Sequence, residues 1–208
     1  MRRHTMIKKF GLFAVLTLLS LGSLIACGKL GNVDQGRVVE FDEEKGLVTL
    51  IRDFKADPKN PDYTHLPPYT YEMPKDPSEI GALPKAGKRM KLDTEKKQIV
   101  IFDTATQDFK TLDYSLISQA EKISGDDPQV YDQEADKPKT FPMIDRGKKT
   151  ITVYSARQKI LTTFSLPDEY FALPDDTWDS GDEVRIYYKE EGKARRFMNL
   201  SKTDIFKK

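Results

Sequence analysis

Gly36-Arg37-Val38-Val39-Glu40-Phe41-Asp42-Glu43-Glu44-Lys45-Gly46-Leu47-Val48-Thr49-Leu50-Ile51 is the stretch that decides the fold. Two runs rich in β-branched and aromatic residues flank a charged break ending in glycine, the pattern of a β-hairpin. Gly46 stands where such a turn needs positive φ, which a residue without Cβ adopts freely.

Shifted by 51 residues, the pattern returns: Gly36 falls on Gly87, Val39 on Met90, Phe41 on Leu92, Asp42 on Asp93 and Val48 on Ile99. So short a match reads equally as a repeat or as a grammar common to hairpins. Residues 149–154 and 160–164 flank a further turn. Residues 181–188 and 195–200 flank the last one, at Glu190-Glu191-Gly192-Lys193. Val184, Ile186 and Tyr188 alternate with Glu183, Arg185 and Tyr187, so one face is buried and the other wetted.

The connections differ in character. Residues 55–86 hold seven of the twelve prolines. Proline lacks a backbone donor and is kept out of central strands, so a long loop is expected, with at most an edge strand near residues 69–73. Tyr63, Tyr69 and Tyr71 in this loop are candidates to stack on a sugar or to receive an extended peptide. The plainer alternative is that they fold back over the end of the β structure. The spacing of Leu116, Ile117, Ala120 and Ile123 predicts a helix over 115–124, started by Asp113 or Ser115 and closed by Gly125. Polar residues 125–140 then make the natural boundary between halves.

The opening G-x-V-x-x-hydrophobic-D…G-x-V-T-L, at Gly36, Val38, Phe41, Asp42, Gly46, Val48, Thr49 and Leu50, resembles that of small periplasmic OB-fold proteins. Gly181, Asp182 and Val184 are similar to a late G-D-x-V element of the same barrels. The resemblance implies a mainly β chain of two tandem OB-like barrels, over 36–112 and 141–208, with one short helix and a polar linker over 113–140. The alternative is one larger barrel or sandwich.

The N-terminus states an address. Residues 1–9 carry Arg2, Arg3, Lys8 and Lys9 without an acid, and residues 10–26 are uncharged. A basic head, an apolar stretch and small residues before a cut make a secretory signal, over 1–26. Leu24-Ile25-Ala26-Cys27, which holds the only cysteine, resembles the lipobox of bacterial lipoproteins. That resemblance implies cleavage before Cys27, a covalent lipid on its thiol, and a tether over 27–35. The competing reading is a spanning helix. At 17 residues with Gly11, Thr17, Ser20, Gly22 and Ser23 inside it, the run falls short of the ~20 apolar residues a span needs. Met6 would open an equally good signal. In Gram-negative members of that family an aspartate after the cysteine favours the inner membrane, so Gly28 implies the periplasmic face of the outer membrane. The expected partners are the membrane, through the lipid, and an envelope protein or glycan.

Composition excludes several activities. The signal holds four of the 34 Lys+Arg and none of the 33 Asp+Glu, leaving a charge-mixed mature chain near −3. Nucleic-acid binding demands a basic face and is not expected. With Cys27 acylated there is neither a disulfide nor a cysteine nucleophile. The mature chain keeps one histidine, His65, too few for the usual zinc hydrolase, and no serine lies in a G-x-S-x-G elbow. No catalytic residue and no cofactor beyond the lipid is assigned. His65 and Met73, with Met90 and Trp178 further along, suggest Cu(I) as an alternative, because periplasmic OB-fold copper carriers use such ligands. Asp175 to Glu183 looks like a calcium loop, but position 6 is Ser180 and position 12 is Ile186, so it fails the EF-hand pattern.

Overall fold

A computed structural model describes residues 30–55 and 61–203, and all that follows concerns these. The first strands are β1 (Asn32–Asp42), β2 (Leu47–Arg52) and β3 (Tyr69–Glu72). Next come β4 (Arg89–Asp93), β5 (Gln98–Asp103), β6 (Asp108–Asp113) and β7 (Ser115–Glu121). The short strands β8 (Tyr131–Asp132), β9 (Lys137–Pro138) and β10 (Met143–Asp145) follow. Strands β11 (Thr150–Ser155), β12 (Ile160–Ser165), β13 (Glu183–Glu190) and β14 (Lys193–Asn199) complete the set. The described helices are 3-10 turns: Pro77–Glu79, Asp168–Ala172 and Asp175–Trp178.

One barrel closes in the order β1-β13-β14-β3-β2. Strand β14 runs parallel to β3 through Lys193 and Glu72, and β2 pairs antiparallel with β3. Val38, Val48, Leu50, Tyr71, Val184, Ile186 and Phe197 fill the interior. Fully burying side chains of this kind contributes about 1.5–3 kcal/mol each. The barrel is thus made from the two ends of the described chain.

Between those ends the chain builds two further sheets, β4-β5-β6 and β10-β11-β12-β7. Ile99, Ile101 and Leu112 of the first pack with Ile151, Val153 and Phe164 of the second around Trp178, which is wholly buried. The other face of β5 presents Val100 and Phe102 to Val39, Ile51, Tyr63 and Met90. Because side chains alternate along a strand, β5 serves both cores at once. Barrel, three-stranded sheet and four-stranded sheet therefore stack in layers.

Two expectations need correction. The chain is mainly β, but it forms one barrel plus other sheets, not two tandem OB-like barrels with a helix between them. The opening and closing hairpins, assigned to separate barrels, close a single one because the edges of β1 and β3 find their partners in β13 and β14. The helix over 115–124 is strand β7, paired with β12 from Ser115↔Ser165 to Glu121↔Ile160. Ladder bonds to an otherwise open β12 edge outweigh a helical spacing that rests on weak helix formers such as Ser115 and Ser118. In addition, β1 begins at Asn32, inside the stretch read as a tether.

Glycine is required where three chain segments meet. A Cβ on Gly87 would lie 2.2 Å from the Gly181 nitrogen and 2.5 Å from the Asp179 oxygen, and one on Gly181 would lie 2.3 Å from the Val38 oxygen. Within the first hairpin, one on Gly36 would lie 2.2 Å from the Ile51 oxygen. Only backbones without side chains approach so closely.

Candidate functional site

The edge strand β4 forms one side of a cleft of about 1030 Å³. Arg37 from β1, Tyr63 and Thr64 from the Pro-rich loop, Ala156 and Arg157 from the β11–β12 turn also line it. The volume is at the upper end of small-molecule sites, which run roughly 300–1,000 Å³.

Arg37 is held over the Tyr63 ring, 4.6 Å from its centroid. Its Nη1 donates to the carbonyl oxygens of Arg89 and Met90 at 3.4 and 3.3 Å, capping part of the β4 edge. Arg89 donates from Nε to the Trp178 carbonyl at 2.9 Å. Burial pulls its pKa down to about 10, the Arg37 cation adds to the fall, and Asp179 opposes it. It stays a cation at neutral pH. Among the described residues neither arginine forms a salt bridge. Tyr63 is 7% exposed, and among the described residues no group meets its buried hydroxyl in good hydrogen-bond geometry, although Arg37 lies close by. Burial raises the pKa of that hydroxyl, with Arg37 pulling the other way. Arg157 approaches Glu183 at 3.9 Å and Lys91 pairs with Asp93 at 2.9 Å. Met90, Leu92, Val100 and Phe109 supply apolar wall.

A smaller hollow of about 380 Å³ lies by Asp34, Arg52, Phe54 and Arg185. Each of its arginines has a side-chain partner. Arg52 meets Asp34 at 3.3 Å and covers the Tyr69 ring at 3.5 Å, and Arg185 donates to Gln35 Oε1 at 2.8 Å. Gln35 in turn donates to Glu183 at 2.5 Å. Arg52 Nε and Asp53 Oδ2 at this hollow have no partner among the described residues, so the larger cleft differs in its volume and in its buried Tyr63 hydroxyl.

The three tyrosines picked from the sequence part company. Tyr63 lines the cleft, Tyr69 lies under Arg52, and Tyr71 is buried in the barrel with its hydroxyl donating to Asp34. His65 stacks on Phe54 at 3.9 Å, whereas Met73 packs on the barrel core. Met90 and Trp178 belong to two other clusters. Among the described residues no group of three or more His, Cys, Asp or Glu is arranged to hold a metal. In the acidic stretch, Asp175 pairs with Arg146, Asp176 with Lys88 and Asp179 with Lys85. Leu24, Ile25, Ala26 and Cys27 lie outside the described residues.

Arg37 and Arg89 were not singled out from the sequence. A signal existed for Arg89: the shift of 51 residues lays it on Val38, so a cation stands where the first hairpin buries an apolar side chain.

Residues 29–208 match the family described as Domain of unknown function (DUF4881). The chain belongs to that family. No curated protein and no solved structure matches it. No enzyme family is among the matches.

Proposed function

We propose that this is a lipid-anchored envelope protein that binds a ligand in the cleft beside β4. The cleft carries the reading: it is large, part apolar, and lined by the unpartnered Tyr63 hydroxyl and by two arginines that form no salt bridge among the described residues, the general form of a ligand site. The anchor rests on Leu24-Ile25-Ala26-Cys27, and the family match starting at residue 29 supports it by leaving the signal out of the shared domain. Acyl chains on one cysteine hold a folded domain at a bilayer, with about 0.8 kcal/mol per buried CH₂ and two or more chains needed for stable attachment. Gly28 supports the outer membrane in a two-membrane cell.

Counted along the chain, the five barrel strands close as first, second, third, fifth, fourth, with the third and fifth parallel. That order supports reading the barrel as OB-like. Barrels of this type take oligomers over their second and third strands and adjoining loops. The cleft lies beside the first strand instead, against the sheets inserted between the third and fourth, which favours a small ligand.

Two measurements test the reading. The mature polypeptide isolated from its own membranes begins at Cys27 with acyl groups attached, and Cys27→Ala accumulates as the uncut precursor. Native mass spectrometry of the detergent-extracted protein finds an added small mass that Ala156→Trp, at the exposed cleft wall, removes. A free thiol at Cys27 ends the anchor, and an Ala156→Trp variant with the same bound mass ends the cleft.

A further inference from the structure

We infer that the cleft ligand carries an oxyanion, a carboxylate or a phosphate, seated between the guanidinium groups of Arg37 and Arg89 beside the hydroxyl of Tyr63. This rests on the cleft-binding reading and adds its chemistry. Two guanidinium groups share one partly dry site, and among the described residues neither forms a salt bridge. Like charges close together in a poorly solvated place repel, and an anion between them relieves both. The donors suit the task. Arg37 spends one nitrogen on two long bonds to carbonyls, and Arg89 spends its Nε on Trp178. Their remaining N–H groups form the planar forks that match carboxylate and phosphate oxygens.

Tyr63 supplies an independent observation. A buried hydroxyl without a partner is disfavoured unless something completes its hydrogen bonding. An oxyanion accepts from it, whereas a cation offers it no acceptor. The two carboxylates that act on Tyr63 are Glu183, engaged by Gln35 and Arg157, and Asp53, whose Oδ1 accepts the Lys55 and Asp62 amides. The Tyr63 hydroxyl is hydrogen-bonded to neither, and the buried Asp53 Oδ2 is itself without a partner among the described residues. The apolar wall at Met90, Val100 and Phe109 adds room for a hydrophobic body attached to the anionic group.

The test uses the full-length lipidated protein in neutral detergent, read by thermal unfolding and by the fluorescence of Trp178, the one tryptophan, whose carbonyl holds Arg89. Inorganic phosphate and benzoate are titrated separately, against sodium chloride of equal ionic strength. A saturable rise in Tm with phosphate marks a phosphate ligand; saturation with benzoate alone marks a carboxylate on an apolar body. Arg37→Gln and Arg89→Gln each weaken the response at least about tenfold, as loss of a charge-assisted bond implies. Because Arg89 also braces Trp178, Tyr63→Phe is the cleaner variant. It removes only an unpartnered hydroxyl, so the ligand-free protein is no less stable while affinity for the anion falls about three- to tenfold. Equal responses to chloride and to both anions overturn the inference, as does unchanged affinity in Tyr63→Phe. If neither anion binds and Ala156→Trp still removes a native bound mass, the oxyanion is wrong and the cleft survives.

Discussion

Hairpins β1–β2 and β4–β5 share one register, and their outer edges meet different partners. Phe41↔Val48 and Asp42↔Leu47 in the first correspond to Leu92↔Ile99 and Asp93↔Gln98 in the second. Each breaks register at an equivalent place, Val38/Glu40 and Arg89/Lys91, and the bulged residues Val39 and Met90 meet in one cluster. Each turn is fixed alike: the amide of Lys45 donates to Asp42, and that of Lys96 to Asp93. The outer edge of β1, however, is taken by β13, so Val38 faces a closed interior. Among the described residues the edge of β4 has no further strand, Arg89 replaces the valine, and Arg37 covers two of its carbonyls. One hairpin design thus yields a sealed core when its edge is paired and a cleft when it is not.

The comparison breaks most completely at the crossing glycines. Gly36→Ala and Gly87→Ala each drive a methyl into backbone that cannot yield, and each loses at least about 3 kcal/mol in urea unfolding. Gly125→Ala, where a Cβ meets nothing within 4 Å, stays within about 0.5 kcal/mol of the parent. The next effect tests whether the hairpins truly pack on one another. Val39→Ala and Met90→Ala cost about 2 kcal/mol each. The double variant deviates from their sum by more than about 0.5 kcal/mol if they share a cavity; additivity within that margin would separate them.

A smaller effect sharpens the likeness of the turns. Gly46 has φ +64° and its counterpart Lys97 has φ +55°, a region that side chains enter at a cost of about 1–2 kcal/mol. Lys97→Gly should raise stability by about 0.5–1 kcal/mol and Gly46→Lys should lower it by about 1 kcal/mol, read from denaturant midpoints. The smallest concerns pH. Backbone and side-chain hydrogen bonds hold the pKa of Asp93 below the ordinary 3.8, its largest cause being the Lys96 amide. A depressed carboxylate lends stability above its unfolded pKa and loses it as pH falls through the folded one. The gap in urea midpoint between the parent and Asp93→Asn should therefore be present at pH 7 and close in acid. A gap unchanged at pH 2 would assign the effect to something other than ionisation.

Local grammar made the hairpins legible: β1–β2, β4–β5, β11–β12 and β13–β14 lie where alternation and turn residues put them. What alternation does not encode is which edge pairs with which, since every strand offers the same row of donors and acceptors. Hence the two terminal hairpins were parted although they belong to one barrel. Strand β7 was hidden for a related reason: with Leu116 and Ile117 both exposed, it lacks the in–out alternation that marks a half-buried strand. A turn signal also went unread. Asp42, Asp93 and Asp145 each stand four residues before a positive-φ residue, Gly46, Lys97 and Lys149, and only the first is glycine. Of the cleft, Tyr63 was visible as an aromatic in a proline-rich loop, whereas Arg37 and Arg89 are single cations within β-rich runs that no motif marks.

The seam between the start and the end of the chain has a kinetic meaning. Gln35 bonds to Glu183, 148 positions away, so the first strand, paired early with β2, waits for almost the whole polypeptide before its second neighbour exists. Contacts of such separation are slow to form. The sheets between β3 and β13 pair with nearer neighbours, so the barrel is expected to close last, like a clasp. Removing residues 193–203 would leave that clasp open, with β3 and β13 each short of a partner and their edges free to join another molecule.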